Sequence, residues 1–285
     1  MNAKEWLTKA KKEGFAIGAF NVGNLETLEA IVAAAKAKKA PVIIEASPGE
    51  SSFMGYNNLV DLAQNYKDEG VAIILNLDHA TEFEKVKQAF DAGFDYLHFD
   101  GGQLPFEENV AIAKQVVEMA HPKAVMVEGE VDHITGSSDL HTGEKVASEQ
   151  VKGNYSDPQK AREFVERTGV DTYASFIGNA HGLYADEKRL DLNRLKEIRQ
   201  VIPDTFLSLH GGSGVNQEDI KAAIEIGVNK INVNTEMRNA YRKELEELLR
   251  TSDEVAMYKL YPEIIEEVQK VVGEKIDLFG SAGKV

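Results

Sequence analysis

Three of the chain's seven histidines stand in short motifs that could do chemistry. His79 lies in NLDHA beside Asp78, His181 lies in SFIGNAHG, and His210 lies in LHGGSG. Three neutral imidazole nitrogens suit Zn²⁺, which prefers tetrahedral coordination and can keep a fourth position for substrate. The chain contains no cysteine, so a metal would have to be held by histidines and carboxylates, and disulfides and thiolate catalysis are excluded.

Other polar residues occur in comparable positions, each after a short apolar run of the kind that forms a buried strand. They are Asp100 in FDGG, Glu128 and Glu130 in VEGE, and Asn232 and Asn234 in NVNTE. Neighbouring residues on a strand point to opposite faces. Asp78 and His79 can therefore serve one site only if one of them lies beyond the regular strand.

The elements that must position these residues are eight apolar runs that alternate with helix-like segments. The predicted strands are 15–20, 41–46, 71–77, 94–99, 124–130, 171–177, 206–210 and 228–234. The predicted helices between and after them include 25–38, 81–92, 106–120, 158–168, 192–201, 217–226, 236–250 and a segment around 258–272. Parallel strands need crossovers, which are usually helices.

This alternation predicts an α/β fold, a (β/α)₈ TIM barrel with extra C-terminal helices, as a single domain over residues 1–285. A dinucleotide-binding sheet would place GxGxxG after its first strand, where this chain has FNVGNLE. The longest irregular stretch is 131–155, and a loop of that length in a compact domain is usually functional.

Residues at the carboxyl ends of barrel strands form the active sites of such folds, and all the motifs above stand there. Gly211-Gly212-Ser213-Gly214 precedes a helix that begins near Gln217. Such a segment can bind a phosphate through backbone N–H groups and the helix N-terminus. Lys230, Asn232 and Asn234 share one strand face, which we expect to be the barrel interior. His98 and His121 are interpreted as structural.

The composition restricts the partners. The net charge of −15 argues against nucleic acid or an anionic membrane, which select basic surfaces. The N-terminal segment is a charged amphipathic helix without the apolar core of a signal peptide. No stretch approaches the roughly 20 apolar residues of a membrane span. We therefore expect a cytoplasmic protein whose partner is a small molecule.

In this order, the motifs resemble the class II, metal-dependent ketose-bisphosphate aldolases, a family that includes fructose- and tagatose-1,6-bisphosphate aldolases. The resemblance runs through AFNVGNLE, PVIIEASPG, LDHA, FDGGQLPFEEN, VEGE, GNAHGLY, LHGGSG, KINVNTE and the closing FGSAGK, and so spans nearly the whole chain.

The resemblance implies a role for each matching position. The zinc ligands would be His79, His181 and His210, with Asp100 and Glu130 at a second or alternative metal position. Asp78 would exchange a proton with the C4 hydroxyl or the aldehyde oxygen. Substrate and phosphate contacts would come from Asn21, Ser47, Gly182, Gly211, Gly212, Ser213, Asn232, Val233, Asn234 and Thr235. The resemblance also implies Zn²⁺, allows a second divalent or a monovalent cation, and indicates a homodimer or homotetramer.

The implied reaction is reversible cleavage of a ketose 1,6-bisphosphate to dihydroxyacetone phosphate and glyceraldehyde 3-phosphate. A metal held by three neutral ligands polarises the substrate oxygens, and a neighbouring carboxylate handles the proton. Fructose and tagatose types both remain open, because NVNTE is typical of the first and HGLYA of the second.

The chain departs from the family at four places. Asn76 stands where the strand-three motif usually has His, Gly102-Gln103 replaces the end of DGSH, and Ala185 stands where a phosphate-binding Lys often follows HGLY. Ser137 and Ser138 stand where the family has the acidic residues that move the C3 proton. Asp139, His133, His141 or Glu144 could replace that base, and Asp139 is favoured.

Three alternatives follow from these residues. The enzyme could act on a different ketose phosphate, or the barrel could bind a sugar phosphate without catalysis. Lys230 could instead form a Schiff base with the substrate. Resistance to chelators and trapping of substrate by borohydride would indicate the last of these.

Overall fold

Runs of branched and aromatic residues form the eight strands of a closed barrel. The computed structural model describes residues 1–132, 139–141 and 155–285. Each strand pairs in parallel with the next along the chain, and the last pairs with the first, Ile17 opposite Lys230. The barrel strands are β1 (Ile17–Asn21), β2 (Val42–Ala46), β3 (Ile73–Ala80), β4 (Tyr96–Phe99), β5 (Met126–Gly129), β6 (Thr172–Ala174), β7 (Phe206–Leu209) and β8 (Val228–Val233).

Helices surround this barrel and bury its outward-facing apolar side chains. They are α1 (Ala3–Glu13), α2 (Leu25–Lys38), α3 (Pro48–Met54), α4 (Tyr56–Asp68), α5 (Phe83–Ala92), α6 (Phe106–Ala120), α7 (Pro158–Thr168), α8 (Leu192–Val201), α9 (Gln217–Ile226), α10 (Thr235–Thr251) and α11 (Tyr261–Leu278). Single 3₁₀ turns cover His121–Lys123 and Met257–Lys259. Within the described ranges, no helix combines the length and the apolar character needed to cross a bilayer.

Helix α1 closes the end of the barrel at which the strands begin. Asn2 and Glu5 cap its first turn reciprocally. Its Trp6 and Leu7 are buried in one apolar cluster with residues such as Ile17 and Met126, which start β1 and β5. Because this end is packed with apolar side chains, the opposite end, where the strands finish, is left for a polar site.

The predicted barrel is confirmed. The helices predicted at 25–38, 106–120, 158–168, 192–201 and 217–226 have these bounds in the structure, and the two C-terminal helices are α10 and α11. Helices α3 and α4 lie between β2 and β3, where none is predicted. Helix α3 begins with a capping box formed by Ser47 and Glu50, and this S-x-x-E pattern is readable in the sequence.

The irregular stretch 131–155 falls mainly outside the described residues. Its described part includes a two-residue strand, Leu140–His141, which pairs in parallel with Leu183–Tyr184. The His141 ring also stacks on that of Tyr184, with centroids 4.6 Å apart. Residues 140 and 141 therefore contact the loop after β6, which carries His181.

Candidate active site

A bulge at the end of β3 brings Asp78 and His79 to the same pocket. The pairing of β3 with β4 shifts register between Leu77 and Ala80, and His79 has a φ of +49°. A residue other than glycine costs free energy in this left-handed region, and such strained residues cluster at functional sites. The bulge re-aims the His79 side chain, so that both residues line one pocket although they are neighbours in sequence.

His79 and His210 each have one ring nitrogen held by a carboxylate. His79 Nδ1 lies 2.9 Å from Asp100 Oδ2, and His210 Nε2 lies 2.7 Å from Glu128 Oε1. The opposite nitrogens, His79 Nε2 and His210 Nδ1, are buried and have no hydrogen-bond partner among the residues that the structure describes. Metal-ligating histidines are usually held in this way, so the donor set fits a metal ion.

His181 completes a group of three imidazoles. Its ring stands edge-on to His79, with centroids 5.0 Å apart, and lies 6.5 Å from the ring of His210. Burial, with the positive charge of His79, lowers the pKa of His181 to about 3, and the same causes lower the pKa of His210 to about 3. Both are therefore neutral, which is the form that ligates metals.

His79 differs from these two in its charge. Burial disfavours the charged form, but Asp78 and Asp100 outweigh this effect and raise the pKa of His79 to about 9. A metal ion would therefore have to displace a proton from His79 when it binds.

Asp78 is a buried carboxylate held by two amide groups. Asn21 donates to Oδ2 and Asn232 donates to Oδ1, each at 3.2 Å. Burial alone would raise the pKa of Asp78, but the positive charge of His79 opposes this effect and helps to hold the pKa well below its ordinary value. The residue is therefore ionised and oriented, as a general base must be.

Possible ligand atoms lie close together in two groups, one formed by His79, Asp100 and Glu130 and the other by Asp78, His79, His98 and His210. Glu130 Oε1 lies 3.9 Å from His79 Nδ1, and both Glu130 oxygens are buried without a partner among the described residues. Burial, with the charge of Asp100, raises the pKa of Glu130 well above its ordinary range. Burial therefore favours the protonated form of Glu130, and a cation bound beside it would favour the carboxylate.

His98, interpreted from the sequence as structural, lies inside the barrel against the histidine group. Its Nδ1 accepts a hydrogen bond from the His79 backbone N–H at 3.2 Å. The His98 ring lies 4.6 Å from that of His79 and 4.8 Å from that of His210. His98 thus supplies the hydrogen bond for the backbone N–H at the bulge, in the place of a sheet partner.

A charged network fills the barrel below the histidines. The ammonium of Lys230 donates to Glu128 at 2.8 Å and lies 3.5 Å from Glu45, and all three side chains are fully buried. Burial would lower the pKa of Lys230, but the two carboxylates raise it above its ordinary value. A lysine held charged in this way is a poor nucleophile, which argues against a Schiff base.

The pocket above the histidines is lined by most of the predicted substrate contacts. These are Asn21, Ser47, Gly182, Gly211, Ser213, Asn232, Asn234 and Thr235. Gly211 has a φ of +61°, and a Cβ there would meet the carbonyl oxygen of Ala180 at 2.4 Å. The two loops that carry His181 and Gly211 can therefore approach so closely only because residue 211 is glycine.

Some predicted residues do not line this pocket. Gly212 and Val233 lie behind it, where the Gly212 N–H bonds to the Asn232 carbonyl and Val233 is fully buried. Asp139 is exposed, and its carbonyl accepts a hydrogen bond from Leu183 N at 3.0 Å. Of the alternative bases, His141 stacks on Tyr184, whereas His133 and Glu144, like Ser137 and Ser138, lie outside the described residues.

Comparison with known proteins gives the same family as the site. Residues 1–284 match the family described as fructose-bisphosphate aldolase class-II. The chain belongs to this family. It is 39% identical to the fructose-bisphosphate aldolase of Geobacillus stearothermophilus and 38% identical to that of Streptococcus pneumoniae, over the whole chain and 98% and 99% of those proteins.

The structure is also similar to that of the YdjI aldolase of Escherichia coli, with a TM-score of 0.84 and 32% identity. The match covers 100% of this chain and 99% of that one. This class II aldolase is therefore a metal-dependent lyase on a TIM barrel.

The roles of several residues around the aldolase site are not predicted from the sequence. Glu45 and Glu128 hold Lys230, and Glu50 bonds to Ser47 and Asn21 and pairs with Arg238 at the pocket edge. The available signal for the first two was a carboxylate within an apolar strand, in VIIEA and MVEG. A charge in such a run is costly unless it serves a network or a ligand.

Proposed function

We propose that this aldolase cleaves and forms a ketose 1,6-bisphosphate of the fructose or tagatose type, with zinc as its metal. The products of cleavage would be dihydroxyacetone phosphate and glyceraldehyde 3-phosphate. The observation that carries the proposal is the pair of buried nitrogens on His79 and His210 that have no hydrogen-bond partner among the described residues, beside an ionised Asp78. Their pocket has glycines and hydroxyls on one side, as a phosphate site requires.

His79, His181 and His210 would hold the metal, since two of them are neutral and the third can lose its proton. When bound, the metal supplies Lewis acidity toward the ketone and hydroxyl oxygens of the substrate. Glu128 and Asp100 orient two of the rings from behind and favour the ligating tautomers.

Asp78 would take the proton from the C4 hydroxyl in cleavage and return it to the aldehyde oxygen in condensation. Asn21 and Asn232 keep the carboxylate in one orientation, so that its proton transfer needs little rearrangement. Gly182, Gly211 and Ser213 would bind the phosphate of the triose, which fixes the reacting carbons relative to Asp78.

For the C3 proton we propose Asp139, which is exposed beside the loop that carries His181. Replacing Asp139 by Ala should slow turnover by about 10² or more, the usual contribution of a general base, and leave the zinc content unchanged. Steady-state kinetics and metal analysis of the same preparation test this. Unchanged turnover would remove Asp139 from the mechanism.

The deciding experiment is release of dihydroxyacetone phosphate from fructose and tagatose 1,6-bisphosphates by zinc-loaded protein, with and without EDTA. We expect cleavage that EDTA abolishes and zinc restores, and the ratio of rates identifies the sugar. His181→Ala should abolish it, whereas His121→Ala should not, because His121 pairs with Asp171 far from the pocket. Tight binding of both sugars to zinc-loaded protein without cleavage would contradict the proposal.

A further inference from the structure

Lys188 is a buried lysine outside the catalytic group described above. Its side chain is 1% exposed, and its ammonium donates to three backbone carbonyls. The acceptors are Ala180 O at 2.6 Å, Gly182 O at 3.1 Å and Gly211 O at 2.7 Å. Two of these residues flank His181, and the third follows His210.

The backbone of Lys188 joins the same two loops. Its N–H donates to the Gly214 carbonyl at 3.0 Å, and its carbonyl accepts from the N–H of Asn216 at 3.0 Å. The residue therefore connects the loop after β6 to the glycine-rich loop after β7 through both side chain and main chain. Gly182 and Gly211 are also the points at which these loops line the pocket.

The ammonium of Lys188 supplies the hydrogen-bond donors that the three carbonyls need. Burial lowers the pKa of Lys188 to about 7, but three acceptors need three N–H donors, which only the charged form has. Converging carbonyls are also the ligands that hold alkali cations in proteins. Without a cation, their negative ends would stand unpaired behind an anion-binding loop, which would weaken phosphate binding.

We propose that Lys188 is a positioning residue that serves as a built-in cation for the phosphate site. Its ammonium occupies a carbonyl cage that would otherwise need an exchangeable alkali cation, and it holds Gly182 and Gly211 in the form that binds the phosphate. The inference rests on the proposed function for the identity of the phosphate, a triose phosphate.

The test compares the zinc-loaded wild type with Lys188→Met in KCl and in tetramethylammonium chloride of equal ionic strength. K⁺ can enter the carbonyl cage from which the variant has lost its ammonium, whereas the larger tetramethylammonium ion cannot. The wild type should have the same KM for the ketose bisphosphate in both salts. In the variant, the KM should rise at least about tenfold in the tetramethylammonium salt and fall again in KCl, with a smaller change in kcat and no change in zinc content.

Binding of inorganic phosphate, measured calorimetrically in the same two salts, gives a readout without turnover and should show the same pattern. Lys221→Met is the matched control, because Lys221 is an exposed lysine that pairs with Glu218 on its own helix. A crystal of the Lys188 variant soaked in a thallium(I) salt should show an anomalous peak among the three carbonyls.

Unchanged phosphate affinity in the variant, or a loss that K⁺ does not reverse in folded protein, would overturn the inference. If the variant cannot be purified, the wild type still tests the inference. Phosphate binding that requires K⁺, or thallium bound among the three carbonyls of the wild type, would overturn the inference. Equal phosphate affinity with and without K⁺ would support it. Phosphate binding with the expected pattern but no cleavage of either sugar would overturn only the proposed function.

Discussion

At the scale of single residues, the site depends on keeping one carboxylate charged in a place with little water. Asp78 is 6% exposed, and a carboxylate so placed would normally become protonated. Two amide donors and the positive charge of His79 prevent this, so Asp78 is ionised at neutral pH and below. The neighbouring Glu130 lacks such donors among the described residues and has its pKa raised instead.

The role of Asp78 as an ionised base predicts the effect of Asp78→Asn. The amide has nearly the same shape but cannot accept a proton, so kcat should fall by about 10² to 10⁴. The zinc content should remain at the wild-type value, because Asp78 is not among the proposed ligands. Single-turnover cleavage and metal analysis measure the two quantities. A loss of zinc in parallel with activity would instead identify Asp78 as a ligand.

At the scale of elements, the end of β3 shows how a strand can present neighbouring residues to one site. The register shift and the positive φ of His79 would be unfavourable in isolation. They persist because His98 accepts the N–H of His79 and Asp100 holds its ring. The conformation of β3 is therefore maintained by side chains of β4 and the residue that follows it.

Removing one of these supports should weaken metal binding. His98→Leu would leave the His79 N–H without its acceptor, which costs about 1 to 3 kcal/mol of stability, and should lower zinc affinity by about 10- to 100-fold. Competition with a chelating dye measures the affinity. Phe99→Leu, on the same strand, should lose stability through a cavity yet bind zinc normally. Equal zinc affinities in both variants would show that His98 does not support the bulge.

Much of the element order was predictable, whereas these local features were not. Apolar runs mark strands that are buried on both faces, and amphipathic segments mark helices that are buried on one face. The bounds of α2 and α6 can be read from this alternation. The bulge at His79 depends on a partner 19 residues away on β4. The carbonyl cage of Lys188 likewise exists only after two loops have met, so no local pattern marks it.

At the scale of the whole molecule, the barrel predicts where the site lies but not which interior charges support it. The strand-end rule identifies Asp78, the three histidines and the glycine-rich loop, because every strand finishes at the same face. It does not show that Glu45, Lys230 and Glu128 form one buried network, since these residues come from β2, β8 and β5. These three residues come together only when the strands close into the barrel.

The same architecture predicts how metal loading affects the molecule. The proposed ligands lie on β3, in the loop after β6 and just beyond β7, so zinc would join distant segments. EDTA should abolish activity but leave the circular dichroism unchanged, because the apolar core does not include the site. Free zinc at about 100 times its dissociation constant should add about 2.7 kcal/mol to the free energy of unfolding.

Zinc binding should also release protons in a number that the histidines determine. The pKa of His79 is raised to about 9, whereas those of His181 and His210 are lowered to about 3. Of the three proposed ligands, His79 alone is protonated at pH 7.5, so about one proton should leave per zinc bound. Apparent affinity should then rise about tenfold for each pH unit from 6.5 and level off above pH 9. Calorimetry in buffers of different ionisation enthalpy counts the protons. Asp100→Asn should reduce the number of protons released, because it removes a charge that raises the pKa of His79. Release of two or more protons by the wild type would show that a second histidine is also charged before the metal binds.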